Sequence, residues 1–123
     1  MKDLNEIFQA VKALMQVYRP PLIAKMEDES HFDLWSQKDL VIEGRKRKEV
    51  YFAGLVIQKG YVGFYYMPVY IDTAVKTVFK PELLALLKGK SCFHIKKLDD
   101  PLQQQIESAL QLGFEQYQQR GWV

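Results

Sequence analysis

The sequence predicts an α+β domain, in which an antiparallel sheet of about five strands carries the N- and C-terminal helices on one face. Two patterns predict this class: apolar residues recur at helical spacing near both ends of the chain, and they alternate with polar residues in its middle. The 123 residues contain no internal repeat and no Gly/Ser-rich linker, so residues 1–123 are expected to form one domain.

Boundary signals locate the first helix. Residues 4–18 carry one apolar stripe, and Asp3 and Glu6 have the spacing of a capping box. Pro20 is expected to end this helix, because proline has no backbone N–H to donate.

The later helices have similar signals. The last helix is expected to have Asp100 as its N-cap, Pro101 at its first position and Gly121 at its end. A short helix is expected over residues 81–87, because proline is favoured at a helix start.

Strands are expected between these helices. The Lys59-Gly60 pair predicts the turn of a long hairpin, because glycine adopts a positive φ at little cost. The predicted strands cover residues 31–36, 39–43, 50–58, 61–67 and 91–96.

The hairpin turn sets which residues share a face of the sheet. Leu55 is expected opposite Phe64 on the helix-covered face, and Gly54 opposite Tyr65 on the other face. Phe52 is expected on that second face too. A tyrosine ring over a cross-strand glycine fills the gap left by the missing side chain, whereas an uncovered glycine would leave a shallow floor for a ligand. Both interpretations of the glycines stay open.

We expect the binding surface on this second face, because aromatic and polar groups lie there together. Alternation along the strands turns six such side chains to this face. The candidate ligand-binding residues are Trp35, Tyr61, Tyr65, Cys92, His94 and Lys96.

Cys92 and His94 form the pair that most resembles catalytic or metal-binding chemistry. They are two residues apart on one predicted strand, so their side chains stand roughly 6–7 Å apart, which exceeds hydrogen-bond reach. A metal site would need two further ligands. The sequence also has no phosphate-binding glycine loop and no hydrolase or zinc-protease motif. An enzyme is therefore not favoured.

Two charged clusters are weaker candidates. An acidic group surrounds the first strand, and its oxygen and imidazole ligands suit a hard cation such as iron. A basic run follows and could meet an anion or an acidic partner, although both clusters are also typical of solvated loops. The candidate metal ligands are Glu27, Asp28, Glu29, His31 and Asp33, and the candidate anion or partner contacts are Arg45, Lys46, Arg47 and Lys48.

Composition limits the setting and the partners. Cys92 is the only cysteine, which excludes an internal disulfide, and no start resembling a secretory leader is present, so a cytosolic protein is expected. No apolar run reaches the ~20 residues of a membrane helix. A net charge of +2 makes nucleic acid an unlikely partner.

Several phrases resemble the YdhG-like family of small bacterial domains of unknown function. They lie within residues 44–123, and the first 40 residues match in pattern only. The phrases are Glu49-Val50-Tyr51-Phe52-Ala53-Gly54, the run from Tyr61-Val62-Gly63-Phe64 to Pro68, the run from Leu86 to Leu98, and the ending from Gly113-Phe114 to Gly121-Trp122-Val123.

The resemblance implies a frataxin-like arrangement of terminal helices on an antiparallel sheet and an intracellular iron-carrier role, with no catalytic residues. The acidic residues of this chain lie mainly at 27–33 rather than in the first helix. The expected function is thus a small binding domain, with iron as one ligand. The alternative is a module that binds a protein or small ligand through the open aromatic face.

Overall fold

The computed structural model describes residues 3–37, 40–42, 44–47, 49–71, 79–89 and 91–123. Within these ranges the chain forms helices and strands in the order expected of an α+β domain. The elements are α1 (Leu4–Met15), a 3-10 turn (Gln16–Tyr18), β1 (His31–Ser36), β2 (Leu40–Ile42), β3 (Arg45–Arg47), β4 (Val50–Gln58), β5 (Tyr61–Tyr66), α2 (Met67–Ile71), α3 (Pro81–Leu84), β6 (Leu87–Lys88), β7 (Cys92–Ile95) and α4 (Asp100–Gln119).

Among the described residues, the main sheet has five antiparallel strands in the order β1-β4-β5-β7-β6, which confirms the predicted α+β class. Its membership differs from the prediction. Residues 40–42 pair with residues 45–47 in a separate hairpin, so the expected strand 39–43 is not part of the main sheet. This local pairing closes around Gly44, which has a φ of +78°, and a short loop costs little closure entropy. The fifth place is taken by β6.

The β4–β5 hairpin has the predicted register. Gln58 pairs with Tyr61 across the turn, and Leu55 pairs with Phe64. Gly60 has a φ of +87°, as the two-residue turn requires. Leu55 and Phe64 are fully buried, which confirms the face assigned to the helices.

A β-bulge interrupts the pairing of β1 with β4. Leu34 lies opposite Ala53, but the next residue, Trp35, lies opposite Tyr51, so Phe52 is the extra residue. Phe52 is consequently released from strict alternation, because a bulge places two residues opposite one.

The bulge explains why the predicted orientation of Phe52 is wrong. Phe52 is fully buried on the helix side, where its ring packs edge-to-face against Tyr18, Phe114 and Tyr117 at centroid distances of 6.1, 6.2 and 5.2 Å. The neighbouring Ala53 is also buried. Two consecutive residues of β4 therefore contribute to the same core.

Both terminal helices begin at side-chain caps. In α1 the Asp3 carboxylate accepts from the Glu6 N–H at 2.8 Å, and the Glu6 carboxylate accepts from the Asp3 N–H at 3.3 Å, which confirms the capping box. The predicted N-cap of α4 is one residue late. Asp99 holds that position, because its carboxylate accepts from the Leu102 N–H at 2.9 Å.

The shorter elements are less regular than predicted. The α-helical part of residues 4–18 ends at Met15, and the chain continues as the 3-10 turn. Met67 begins α2 instead of ending β5. The helix at Pro81 ends at Leu84, and Leu87 already belongs to β6.

Helices α1 and α4 contact each other, and α1 packs on β4 and β5, so the main core lies between these helices and one face of the sheet. The outer edge of β1 is covered by the preceding segment, where Ile23 bridges to Trp35 and Glu27 to Phe32. No helix within the described ranges is long and apolar enough to cross a membrane.

Candidate functional site

The surface of interest is the side of the main sheet that faces away from α1 and α4, which we call the open face. Its residues alternate with fully buried core residues such as Phe64 and Phe93, and most are only half-buried. By register, the open face carries His31, Asp33, Trp35, Tyr51, Gly54, Val56, Gln58, Tyr61, Gly63, Tyr65, Lys88, Cys92 and His94.

A stacked aromatic pair lies on β5 and β7. The Tyr61 and His94 rings have a centroid distance of 3.9 Å and an interplanar angle of 16°. His94 pairs across the strands with Gly63, which has no side chain to separate the two rings. Two predicted site residues thus form one stacked aromatic pair.

Gln58 joins this pair to the other half of the site. Its carboxamide oxygen accepts from the Tyr61 hydroxyl, and its amide nitrogen donates to the Tyr65 hydroxyl at 2.9 Å. Cys92 pairs with Tyr65 across the strands, and the interaction of its thiol with the Tyr65 hydroxyl affects the pKa of both groups. Hydrogen bonds thus connect Tyr61, Gln58 and Tyr65, and Cys92 lies beside the end of this chain.

The two glycines of the open face are covered by tyrosines, but not by the predicted ones. The Tyr51 hydroxyl lies where a Cβ of Gly54 would project, and the Tyr65 ring comes within 3.3 Å of the Cβ position of Gly63. The expectation that Tyr65 covers Gly54 is wrong, because each tyrosine covers a glycine of its own strand: Tyr51 covers Gly54 in β4, and Tyr65 covers Gly63 in β5. Because these glycines have no side chain, the tyrosine rings can lie directly against the backbone of the sheet.

Trp35 belongs to a separate cluster at the β1 side of the open face. Its ring packs edge-to-face on Tyr51 at 5.0 Å, and the Lys25 Nζ lies 4.5 Å from its centroid. Lys25 also pairs with Glu49 at 2.5 Å. The Trp35 Nε1 is buried and has no hydrogen-bond acceptor among the described residues. Burial, with the charge of Asp33 as a smaller cause, raises the pKa of the Tyr51 phenol.

Lys96 is exposed and follows the last residue of β7. It continues the alternation of Cys92 and His94, but it lies in a bend after the strand. The structure therefore brings four of the six predicted binding residues together and leaves Trp35 and Lys96 at the margins.

The chemistry of Cys92 is that of a neutral thiol. Partial burial raises its pKa, and the Tyr65 hydrogen bond offsets this only in part. His94 is occupied by its stack with Tyr61. The geometry gives no activated nucleophile, since a reactive cysteine needs a depressed pKa and a base in contact.

Glu27 is the best-connected member of the acidic group. Its two carboxylate oxygens accept from the Arg19 guanidinium at 3.1 Å each, and Lys12 Nζ lies 3.2 Å away. These hydrogen bonds lower the pKa of the Glu27 carboxyl, first from Arg19 and then from Lys12. Glu27 therefore links the segment before β1 to helix α1.

The other carboxylates are engaged with backbone donors. Asp28 accepts from the Ser30 and His31 N–H groups at 2.8 Å each, and these bonds lower the pKa of its carboxyl. Asp33 accepts from the Lys25 N–H at 3.0 Å and the Met26 N–H at 2.9 Å. Each carboxylate stabilises its own turn.

This arrangement does not fit an iron site. His31 Nε2 lies 4.0 Å from Asp33, and Glu29 is exposed. Within the described part of the chain, no three His, Cys, Asp or Glu side chains lie close enough together to hold a metal ion. Iron binding therefore remains a prediction of the family resemblance.

The described part of the basic run does not belong to the main sheet. Arg45, Lys46 and Arg47 form β3 in the small hairpin, and the Lys46 side chain is exposed. Lys48 lies outside the described residues. The role of this run as an anion or partner contact stays a prediction.

A cleft of about 360 Å³ lies between α3 and α4. Its walls include Leu83, whose N–H donates to the Gln105 carboxamide oxygen at 3.2 Å, and none of the predicted site residues. Sequence reasoning also omitted Gln58 and Tyr51 from the site. Alternation does place Gln58 on the open face, but only the three-dimensional contacts show that it connects the tyrosines.

No protein-family model, no curated protein and no solved structure significantly matches this chain. The resemblance to the YdhG-like family stays a prediction.

Proposed function

We propose that this protein is a non-catalytic binding module that uses the open face of its sheet. The observation that carries the proposal is the connected unit of Tyr61, His94, Gln58, Tyr65 and Cys92. Its side chains are held by one another while remaining half-exposed. Such preorganisation reduces the entropy that a surface loses when a ligand binds.

The same contacts argue against catalysis by this unit. The thiol is held neutral by burial, and the imidazole contacts a phenol ring instead of the sulfur. A cytosolic setting is part of the proposal, since Cys92 is a free thiol and the cytosol keeps thiols reduced. Kinship to the YdhG-like family is part of it as well.

A thermal-shift screen over nucleotides, small acids and metal ions tests the proposal, because a ligand of the native state raises the unfolding temperature. We expect at least one compound to stabilise the native chain and to lose that effect in Gln58→Ala. Val17→Ala is the matched control, because Val17 is 73% exposed on the 3-10 turn after α1. Stabilisation that survives Gln58→Ala for every compound would contradict the open-face site.

Two further measurements separate the alternatives. Turnover of any screened compound that disappears in His94→Ala would show an enzyme and overturn the non-catalytic proposal. Fe²⁺ is included with a variant in which Glu27, Asp28, Glu29 and Asp33 are changed to their amides. Because these carboxylates are engaged locally, we expect equal Fe²⁺ shifts from the two proteins; a shift confined to the native chain would support the acidic site.

A further inference from the structure

The charge of the open face is unevenly distributed. Strands β4, β5, β6 and β7 contain no aspartate or glutamate. The acidic groups of this face are at its β1 side, where Asp33 is bonded to backbone N–H groups and Glu49 is paired with Lys25. Among the described strands, those that form the half of the face around β5 and β7 therefore contribute only neutral and basic side chains.

Three exposed lysines border this half. Lys88 pairs with Cys92 across β6 and β7, which places it on the open face beside the thiol. Lys59 lies in the turn that joins Gln58 to Tyr61, and Lys96 directly follows β7. All three are exposed. An anion that reaches the aromatic pair is thus attracted from several sides, without a competing carboxylate on these strands.

The uncharged side chains of Tyr61, His94 and Gln58 favour the binding of a flat polar molecule. The Tyr61 and His94 rings each use one face on the other, which leaves the outer face of the stack for a further ring, and aromatic side chains of this kind stack on heterocycles. Gln58 uses one amide N–H on Tyr65 and has a second to donate, since a carboxamide nitrogen carries two. A heterocycle can therefore stack and accept a hydrogen bond at the same place.

We infer that the β5–β7 half of the open face binds a small planar heteroaromatic anion, that is, a flat ring carrying a phosphate or a carboxylate. The ring contacts the Tyr61–His94 pair and the Gln58 amide, and the anionic group meets the bordering lysines. This inference rests on the proposed function and specifies its ligand class.

The test is a titration followed by backbone amide NMR signals, with four probes of matched chemistry. AMP and nicotinate carry a ring and an anionic group, adenosine carries the ring alone, and inorganic phosphate carries the charge alone. We expect AMP or nicotinate to shift the signals of β4, β5 and β7 with saturation, and adenosine and phosphate to bind at least about tenfold more weakly.

Variants assign the two parts of the ligand. Tyr61→Ala should raise the Kd of the anionic probe by about tenfold or more, as loss of one stacking partner does. Lys88→Ala should weaken binding most at low salt, because exposed charge interactions are screened. Lys80→Ala is the control, since Lys80 is exposed beside α3 on the helix side.

The outcomes distinguish this inference from the proposed function. If AMP and nicotinate shift no open-face signal, or if Lys80→Ala weakens binding as much as Lys88→Ala, the inference is wrong. A different compound from the thermal-shift screen that shifts the same signals would then leave the open-face binding function standing. Shifts confined to residues outside the open face would overturn both.

Discussion

Glycines in this protein make room for tyrosine hydroxyls as well as for turns. Gly113 lies in the middle of α4, where glycine is less favourable than alanine. The Tyr66 hydroxyl donates to the Ala109 carbonyl there and occupies the position that a Gly113 side chain would take. Pro68 would also lie 2.7 Å from an added Cβ. The missing methyl group thus allows α4 to approach the end of β5.

Replacement of Gly113 by alanine should therefore destabilise the protein, against the usual trend for helices. The gain in helix propensity, up to about 1 kcal/mol, is outweighed by overpacking that costs about 1–3 kcal/mol. We expect a net loss of about 1 kcal/mol in the free energy of unfolding, measured by urea denaturation. Gly113→Ala combined with Tyr66→Phe should recover part of the loss, whereas a more stable single variant would contradict the close packing.

At the scale of elements, the edge of β1 depends on one carboxylate. The segment before β1 bridges to it at Ile23 and Glu27, and Asp33 fixes that segment through the Lys25 and Met26 N–H groups. Asp33 is only 8% exposed. A covered edge is protected from pairing with other chains. Asp33, which the sequence suggested as a metal ligand, therefore has a structural role in this fold.

Asp33→Ala should release this segment. Two backbone donors lose their acceptor, and we expect the free energy of unfolding to fall by about 1–3 kcal/mol. Hydrogen exchange at the Lys25 and Met26 amides should accelerate in the same variant. Asp33→Asn keeps an acceptor oxygen and should lose clearly less; equal losses in the two variants would argue against the hydrogen bonds as the cause.

In the molecule as a whole, Glu27 connects helix α1, the segment that follows it and strand β1. It pairs with Lys12 of α1 and Arg19 after the 3-10 turn, and it bridges to Phe32 of β1. Because the two cations lower the pKa of the Glu27 carboxyl in the folded state, the unfolded chain binds its proton more readily. The pairing therefore stabilises the fold above the ordinary carboxyl pKa of 4.5 and stops doing so as the pH falls through the lower folded value.

Glu27→Gln should accordingly be less stable than the native chain at pH 7, and the difference should shrink as the pH falls below 4.5. High salt should also reduce the difference at pH 7, since the group is exposed. Urea unfolding at several pH values measures it. Glu29→Gln, an exposed neighbour, serves as the control, and a difference between native and Glu27→Gln that is constant with pH would exclude this linkage.

Much of the fold followed from local patterns. The Asp3–Glu6 capping box and the Lys59-Gly60 turn depend on residues within a few positions of each other, and both are present as predicted. Alternation then placed Phe64 and Phe93 in the core, because strand geometry fixes the side on which each residue lies. The same alternation placed Tyr61, Tyr65, Cys92 and His94 on the open face, but it failed at the bulge, where Tyr51 takes the place expected for Phe52.

Local sequence patterns suffice for the α+β class, for the hairpin register and for the shared face of Tyr61, Tyr65, Cys92 and His94. The packing of the whole chain was needed to show that β6 is the fifth strand, that Phe52 turns to the core and that Gln58 joins the tyrosines. Caps, turns and alternation are set by neighbouring residues, whereas a bulge or a side-chain network forms only when the packing of separate segments makes it the most stable arrangement.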